Sequence, residues 1–177
     1  MATSSSSSAL TQLAASCEAD GLNVQNSEKI AMALAAEFKV RVEEVGILRV
    51  EKDSLVFVHP AKLHKVGKIP LNNSSSVAVH TLNTRRAEVL NAFAKAKHAT
   101  FFEMVDLSDR QPGSQAGREN QIIQKLMTAP VINAGKAVGV IQICRKGATS
   151  IRAGVDFSPS DLQRLVGMTA ILARCFK

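Results

Sequence analysis

Two spacings of apolar residues alternate along this chain, and the points where one gives way to the other mark its elements. Ile30, Ala33, Leu34 and Phe38 recur at helical spacing. Ser27 before them is a good N-cap, and Glu28 suits the positive end of the helix dipole. The period then shortens. The stretch VGILRVEKDSLVFVHP has β-branched residues on both sides of a polar EKDS, which predicts a hairpin over residues 45–59. Pro60 ends its second strand, because proline has no N–H to give to a ladder.

A second hairpin is written more strongly. IIQKLMTAPVI, NAGK and AVGVIQICRK read as strand, turn and strand, with Asn133 and Gly135 supplying residues that tolerate positive φ. Alternation puts Val138, Val140, Gln142 and Cys144 on one face and Gly139, Ile141 and Ile143 on the other. Both faces are mostly apolar, so this strand belongs in mid-sheet with cover on both sides. Gly139 leaves room for a close approach, most naturally by a helix. Gln142 is the one polar side chain in its row; buried, it needs a partner, from the protein or from a ligand. The chain closes on DFSPSDLQRLVGMTAILARCFK. Ser158 is the N-cap, Pro159 the first helical position, and Asp161 falls three residues after the cap. Leu162, Leu165, Val166, Thr169, Leu172 and Phe176 make its apolar face.

The remaining segments are plainer. ALTQLAASCEADG predicts a helix stopped by Gly21. The five serines at residues 4–8 bury nothing and predict a disordered leader. AKLHKVGKIPLNN is loop-like, and the serines at 74–76 can cap a short helix through VAVHTLNT. AEVLNAF suggests a short strand, KHATFFEMVDL leans toward a helical turn, and SDRQPGSQAGREN reads as a mobile surface loop. Residues 1–26 are thus expected to be a leader with a short helix, and residues 27–177 one domain. The hairpin connections are too short for crossovers, so the sheet is antiparallel. With helices before and after it, the class is α+β.

Composition removes several functions. No apolar run approaches the ~20 residues of a membrane span. MATSSSSSALTQLAAS lacks the charge and the apolar core of a secretory signal, so the expected location is the cytoplasm, with no membrane partner. The net charge of +7 raises nucleic acid as a partner, but the cations are dispersed and the tightest clusters are the pairs Arg85-Arg86 and Arg145-Lys146. With no Trp and no Tyr for stacking, nucleic acid is not expected. Cys17, Cys144 and Cys175 are too few and too scattered for a disulfide framework or a metal knuckle. His59, His64, His80 and His98 show no convergence toward a metal. NAGKAVG lacks phosphate-loop spacing, and Asp106, Asp109 and Glu119 are not spaced for acid–base work.

Pro130, Gly135, Gly139-Val140, Lys146, Phe157 and Asp161, in TAPVINAGKAVGVIQICRKG and VDFSPSDLQRLVGMTAILA, carry a resemblance to the GAF domain family, and KIPLNNSSSVAVHTLNT resembles the segment before that family's pocket helix. The resemblance spans residue 27 to the end. It implies an antiparallel sheet of about six strands with terminal helices on one face and a pocket under a helix and loops on the other. Members sense small molecules or serve as ligand-free dimerisation modules. The expected function is a sensory or regulatory module, not an enzyme, that binds an unidentified small molecule and signals to a separate protein. A ligand-free module that forms a homodimer through the exposed remainder of ALTQLAASC and ILARCF is the alternative, and a free-methionine-sulfoxide-reductase type of enzyme is the third. No cofactor is identified. The ligand site implied by the pocket's place in the family is Val77, His80, Arg85, Arg86, Phe101, Phe102, Glu103 and Gln142. His80, Arg85 and Arg86 would meet an anion, or else form a solvated helix end. Phe101 and Phe102 would line the cavity or pack in the core. Arg145-Lys146 and Asp161-Leu162 lack the Asn and Glu of the cyclic-nucleotide subgroup, and bilin binding would want a Tyr. Lys146 and Asp161 are expected to form a structural ion pair from the last strand to the last helix.

Overall fold

The two hairpins foreseen in the sequence form and lie side by side. The computed structural model describes residues 3–65, 67–95 and 122–176. Among them, β1 (Val45–Glu51), β2 (Ser54–His59), β3 (Ile69–Pro70), β4 (Glu88–Leu90), β5 (Ile122–Asn133) and β6 (Lys136–Gly147) make one sheet of order β3-β2-β1-β6-β5-β4. Every neighbouring pair is antiparallel. Pro130 lies within β5, but β4 reaches along that edge only to Thr128. Past that point the outer edge of β5 has no strand beside it among the described residues, so a missing N–H there costs no ladder bond.

Three helices cover one face, here called the back: α1 (Thr3–Asp20), α2 (Val24–Phe38) and, at the end of the described chain, α4 (Pro159–Leu172). Between β3 and β4, α3 (Val77–Thr84) covers the front. On the back, Leu10, Ile30, Leu34, Phe38, Leu165, Leu172 and Phe176 pack on Val45, Ile47, Met127, Ile141 and Ile143. On the front, Val77, Ala78 and Leu82 pack with Leu48, Phe57, Leu126, Val140 and Cys144. The alternation in β6 therefore works as expected from Gly139 onward, with Ile141 and Ile143 behind and Val140, Gln142 and Cys144 in front. Gly139 admits the ring of Phe176. A Cβ at that position would stand 2.4 Å from the Leu48 carbonyl oxygen and 2.5 Å from the ring. The close neighbour is thus the aromatic that follows α4 and its 3-10 turn (Ala173–Cys175), which rests on the bare strand.

Several local expectations are corrected. Val138 does not share the face of Val140. The pairing steps from Val131–Gly139 to Ile132–Ala137, leaving Val138 as the extra residue of a bulge, and it packs with the back cluster. The turn's positive-φ positions are Ala134 (48°) and Gly135 (76°), while Asn133 pairs with Lys136 at the strand end. α2 is capped by Asn23, whose side chain accepts from the Asn26 N–H at 2.8 Å; Ser27 lies inside the helix and donates to the Val24 carbonyl. Ser158 and Asp161 do form a reciprocal capping box on α4, with Pro159 in its first turn. Val166, however, is 45 % exposed, because the face that packs is centred on Leu165, Thr169 and Leu172.

The serines at 4–8 are helical, the opening turns of α1, where a disordered leader was expected. Serine is a middling helix former, and the helix it extends is anchored further on. Leu10, Ala14 and Cys17, spaced for one face, are buried in the back cluster, so α1 packs on the same body as residues 27 onward. No helix among the described residues is long and apolar enough to cross a membrane.

Candidate functional site

The front of the sheet under α3 is where the sequence places a binding site. Ser76 caps α3 through the Val79 N–H, and the helix turns Val77, Ala78, Thr81 and Leu82 onto the strands. Thr81 is fully buried. Its hydroxyl donates to the Val77 carbonyl at 2.9 Å and lies 3.1 Å from the Thr128 hydroxyl on β5. Because the Thr81 proton is used on its own helix, Thr128 is the donor between them. Thr128 stands directly across from Gln142 on β6. On the other side Gln142 faces Gly46 of β1, which brings no side chain to the row. Gln142 is 3 % exposed, and its Nε2 is buried with no hydrogen-bond partner among the described residues. The front therefore holds a small polar cluster of two paired hydroxyls and one amide donor with nothing to donate to. Such a group costs on the order of 1–3 kcal/mol while it is unmatched.

The other expected ligand residues do not join it. Val77 and Gln142 are buried, whereas His80, Arg85 and Arg86 are exposed. His80 points off the outer side of α3, and Arg85 takes the left-handed conformation that ends the helix (φ 55°). Helical geometry explains the miss: with residues 77, 78, 81 and 82 on the sheet, position 80 must face away. The solvated helix end is what these cations make. Phe101, Phe102 and Glu103 lie outside the described residues, as do the expected helical turn and polar loop around them.

The ion partner of Asp161 is Arg164, not Lys146. Asp161 accepts from the Ser158 N–H and hydroxyl and pairs with Arg164 one turn on, and Arg164 also reaches Glu37 of α2 at 2.7 Å. Burial pushes the Asp161 carboxyl up, but the Ser158 hydrogen bonds and Arg164 outweigh it, so it titrates below the ordinary range. A partner on the same helix turn needs no long reach, which is why it displaces one on a strand. Lys146 is instead tied by its backbone, whose N–H donates to Glu44 at 2.7 Å.

Sequence reasoning missed other polar anchors. Arg145 donates to the Phe38 and Lys39 carbonyls at the end of α2 and lies over the Phe157 ring, 4.7 Å from its centre. Buried Lys125 pairs with Asp156 at 2.7 Å and pins the loop before α4. A cleft of about 540 Å³ runs between Lys39, Arg41, Glu44, Arg145, Lys146 and Arg152, and another of about 520 Å³ lies beside Lys125 and Asp156. Neither is lined by the Gln142 cluster. All three cysteines are buried: Cys144 in the front cluster, Cys17 and Cys175 in the back one. Of the stretches expected to meet in a dimer, Leu10, Ala14, Cys17, Leu172, Cys175 and Phe176 belong to the core, and the exposed remainder is Ala9, Thr11, Gln12, Ala15, Ser16 and Arg174. Among the described residues no three His, Cys, Asp or Glu side chains gather as a metal site.

Neither a protein-family model nor a curated protein sequence matches the chain. Solved structures do. The GAF domain of a phosphoenolpyruvate-protein phosphotransferase from Acinetobacter superposes with a TM-score of 0.63 at 13 % identity, over 94 % of this chain and 90 % of that one. The corresponding domain from Coxiella burnetii gives 0.60 at 11 %, over 93 % and 88 %. The free methionine-R-sulfoxide reductase of Neisseria meningitidis, solved in complex with its substrate, gives 0.60 at 18 %, over 94 % and 85 %. With its antiparallel six-stranded sheet, its helices behind and α3 in front, the chain has the GAF fold, an α+β architecture, as the resemblance implied.

Proposed function

We propose that this chain is a regulatory module of GAF type that binds a small molecule at the front of the sheet and passes the event to a separate protein. The observation that carries the reading is the buried, unmatched amide of Gln142 beside the Thr81–Thr128 hydroxyls under α3. A ligand with a carbonyl or similar acceptor would relieve its cost. Domains of this fold in phosphotransferases and in a sensor histidine kinase support a regulatory role by analogy of fold. The enzymatic alternative has less behind it: a thiol catalyst needs an exposed, acidified cysteine, whereas all three here are buried and Cys175 is pushed up to about 12, first by burial.

The test is a thermal-shift screen with amino acids, oxo acids and nucleotides, run on the wild type and on Gln142→Leu. A ligand selective for the native state raises apparent stability. The expected result is a compound that stabilises the wild type and not the variant. A compound acting equally on both would remove Gln142 from the site. No stabilisation by any compound would favour the ligand-free reading, in which the chain works through protein contacts. That second reading has its own support in Val24 and Met32 on α2 and Val166 on α4, all large, apolar and about half exposed. Sedimentation at two concentrations, with Met32→Glu as control, tests it.

A further inference from the structure

Helix α1 is held to the back by a narrow stripe of Leu10, Ala14 and Cys17, two of them small. Directly against that stripe sits Cys175, in the 3-10 turn after α4. Its Sγ donates to the Ala14 carbonyl, one turn before Cys17, at 3.6 Å. Cys17 and Cys175 are both fully buried, and the Cys17 thiol interacts with that of Cys175. Cys144 lies on the other side of the sheet and cannot join them. Neither thiol takes part in the front site.

We propose that Cys17 and Cys175 are a redox pair whose two-electron oxidation by a peroxide fastens α1 to the C-terminal turn as a disulfide. In the docked state the thiols are shielded and poorly ionised, since burial and the neighbouring thiol push Cys175 up to about 12. Reaction therefore runs through local opening of α1, which its thin apolar stripe makes easier than opening the sheet. In the open state one thiol loses its proton and attacks the O–O bond, giving a sulfenic acid and water. When α1 redocks, the second thiol attacks the sulfenic sulfur; the S–S bond forms, the S–O bond breaks, and a second water leaves. Two thiols and one peroxide yield one disulfide and two waters. The bond then closes nearly the whole described chain into one loop, which restricts the unfolded state and holds α1 down.

The experiment treats the reduced full chain with hydrogen peroxide, blocks remaining thiols under denaturing conditions and maps the peptides. The expected product is a Cys17–Cys175 cross-link with Cys144 still blocked as a free thiol. The oxidised protein should melt roughly 5–10 °C higher than the reduced one, with slower amide exchange along α1. A dithiol reductant should reverse both. Cys17→Ala should abolish the cross-link and the shift, and Cys144→Ala should leave them unchanged. Cross-linking through Cys144, over-oxidation of either thiol without a bond between them, or a disulfide that leaves α1 exchanging as fast as before would each overturn the proposal. Cys175→Ser provides a second, independently folding route to the same comparison.

Discussion

The two faces of the sheet are filled by different chemistry. Behind it, three helices bury a large apolar cluster, with Ser27 and Thr169 bonded to their own helices, tight enough for Phe176 to rest where Gly139 has no side chain. In front, one short helix covers a surface that mixes Leu48, Leu126 and Val140 with Thr81, Thr128 and Gln142. Both faces exclude water, and among the described residues each holds a buried nitrogen without a hydrogen-bond partner; Arg145 Nε, behind, belongs to a guanidinium whose other nitrogens bond the Phe38 and Lys39 carbonyls, whereas the amide nitrogen of Gln142, in front, is wholly unspent. A leucine at position 142 would remove the unspent amide, and the proposed function rests on the reading that a ligand is its missing partner.

The sharpest way to break this contrast is to strike the back. Gly139→Ala should destabilise by about 3 kcal/mol, an overpacking cost, because the new methyl meets both backbone and ring. Urea unfolding would read it, and a loss below about 1 kcal/mol would mean that the back is no tighter than the front. The next effect depends on pH. His59 is buried at the end of β2, with Nε2 3.1 Å from the Val42 carbonyl oxygen. Burial holds its pKa below the ordinary value, partly offset by the Val42 hydrogen bond and by Glu28. The unfolded chain thus takes up this proton more readily than the folded one. Its contribution is fully present above an unfolded pKa of about 6.5 and is lost as pH falls through the folded pKa, with a slope of up to about 1.4 kcal/mol per pH unit. His59→Gln should flatten that slope between wild-type and variant melting curves.

On the front the sign should reverse. Gln142→Leu is expected to stabilise the unliganded protein by about 1 kcal/mol, since it removes an unmatched buried donor. A loss of similar size would show that the amide already has its partner and would erase the contrast between the faces. The smallest effect belongs to neither face. Ala134 holds φ 48° in the two-residue turn of the long hairpin, and Ala134→Asn should gain about 0.5 kcal/mol by giving that turn the Asn-Gly pair it favours. Thermal melts resolve a change of this size.

Features set by neighbours in sequence were readable in advance. The Ser158–Asp161 cap on α4, the hairpins around residues 52–53 and 134–135, and the short helix after Ser76 all follow from local chemistry and period. What depended on distant contacts was not readable. Counting outward from the turn would set Thr128 opposite Ile141; the extra residue at Val138 moves it to Gln142, and no sequence signal announces that bulge. The outward aim of His80 and the burial of Leu10, Ala14 and Cys17 likewise depend on how a helix rolls onto the sheet. The serines at 4–8 misled for the same reason, because composition speaks for an isolated segment and not for one continued from an anchored helix. Of the expected site residues, Val77 and Gln142 are buried at the front of the sheet, and the hydroxyl pair beside them was missed because threonine in a strand or a short helix looks ordinary.

Gln142 shares a peptide unit with Ile141 on one side and with Ile143 on the other, and both isoleucines bear on the helices behind. On the proposed reading, input and output would be separated by the thickness of a single strand. An occupant that tugged the amide would rock the floor on which α1, α2 and α4 stand, and it would need no hinge, lid or relay of side chains to do so.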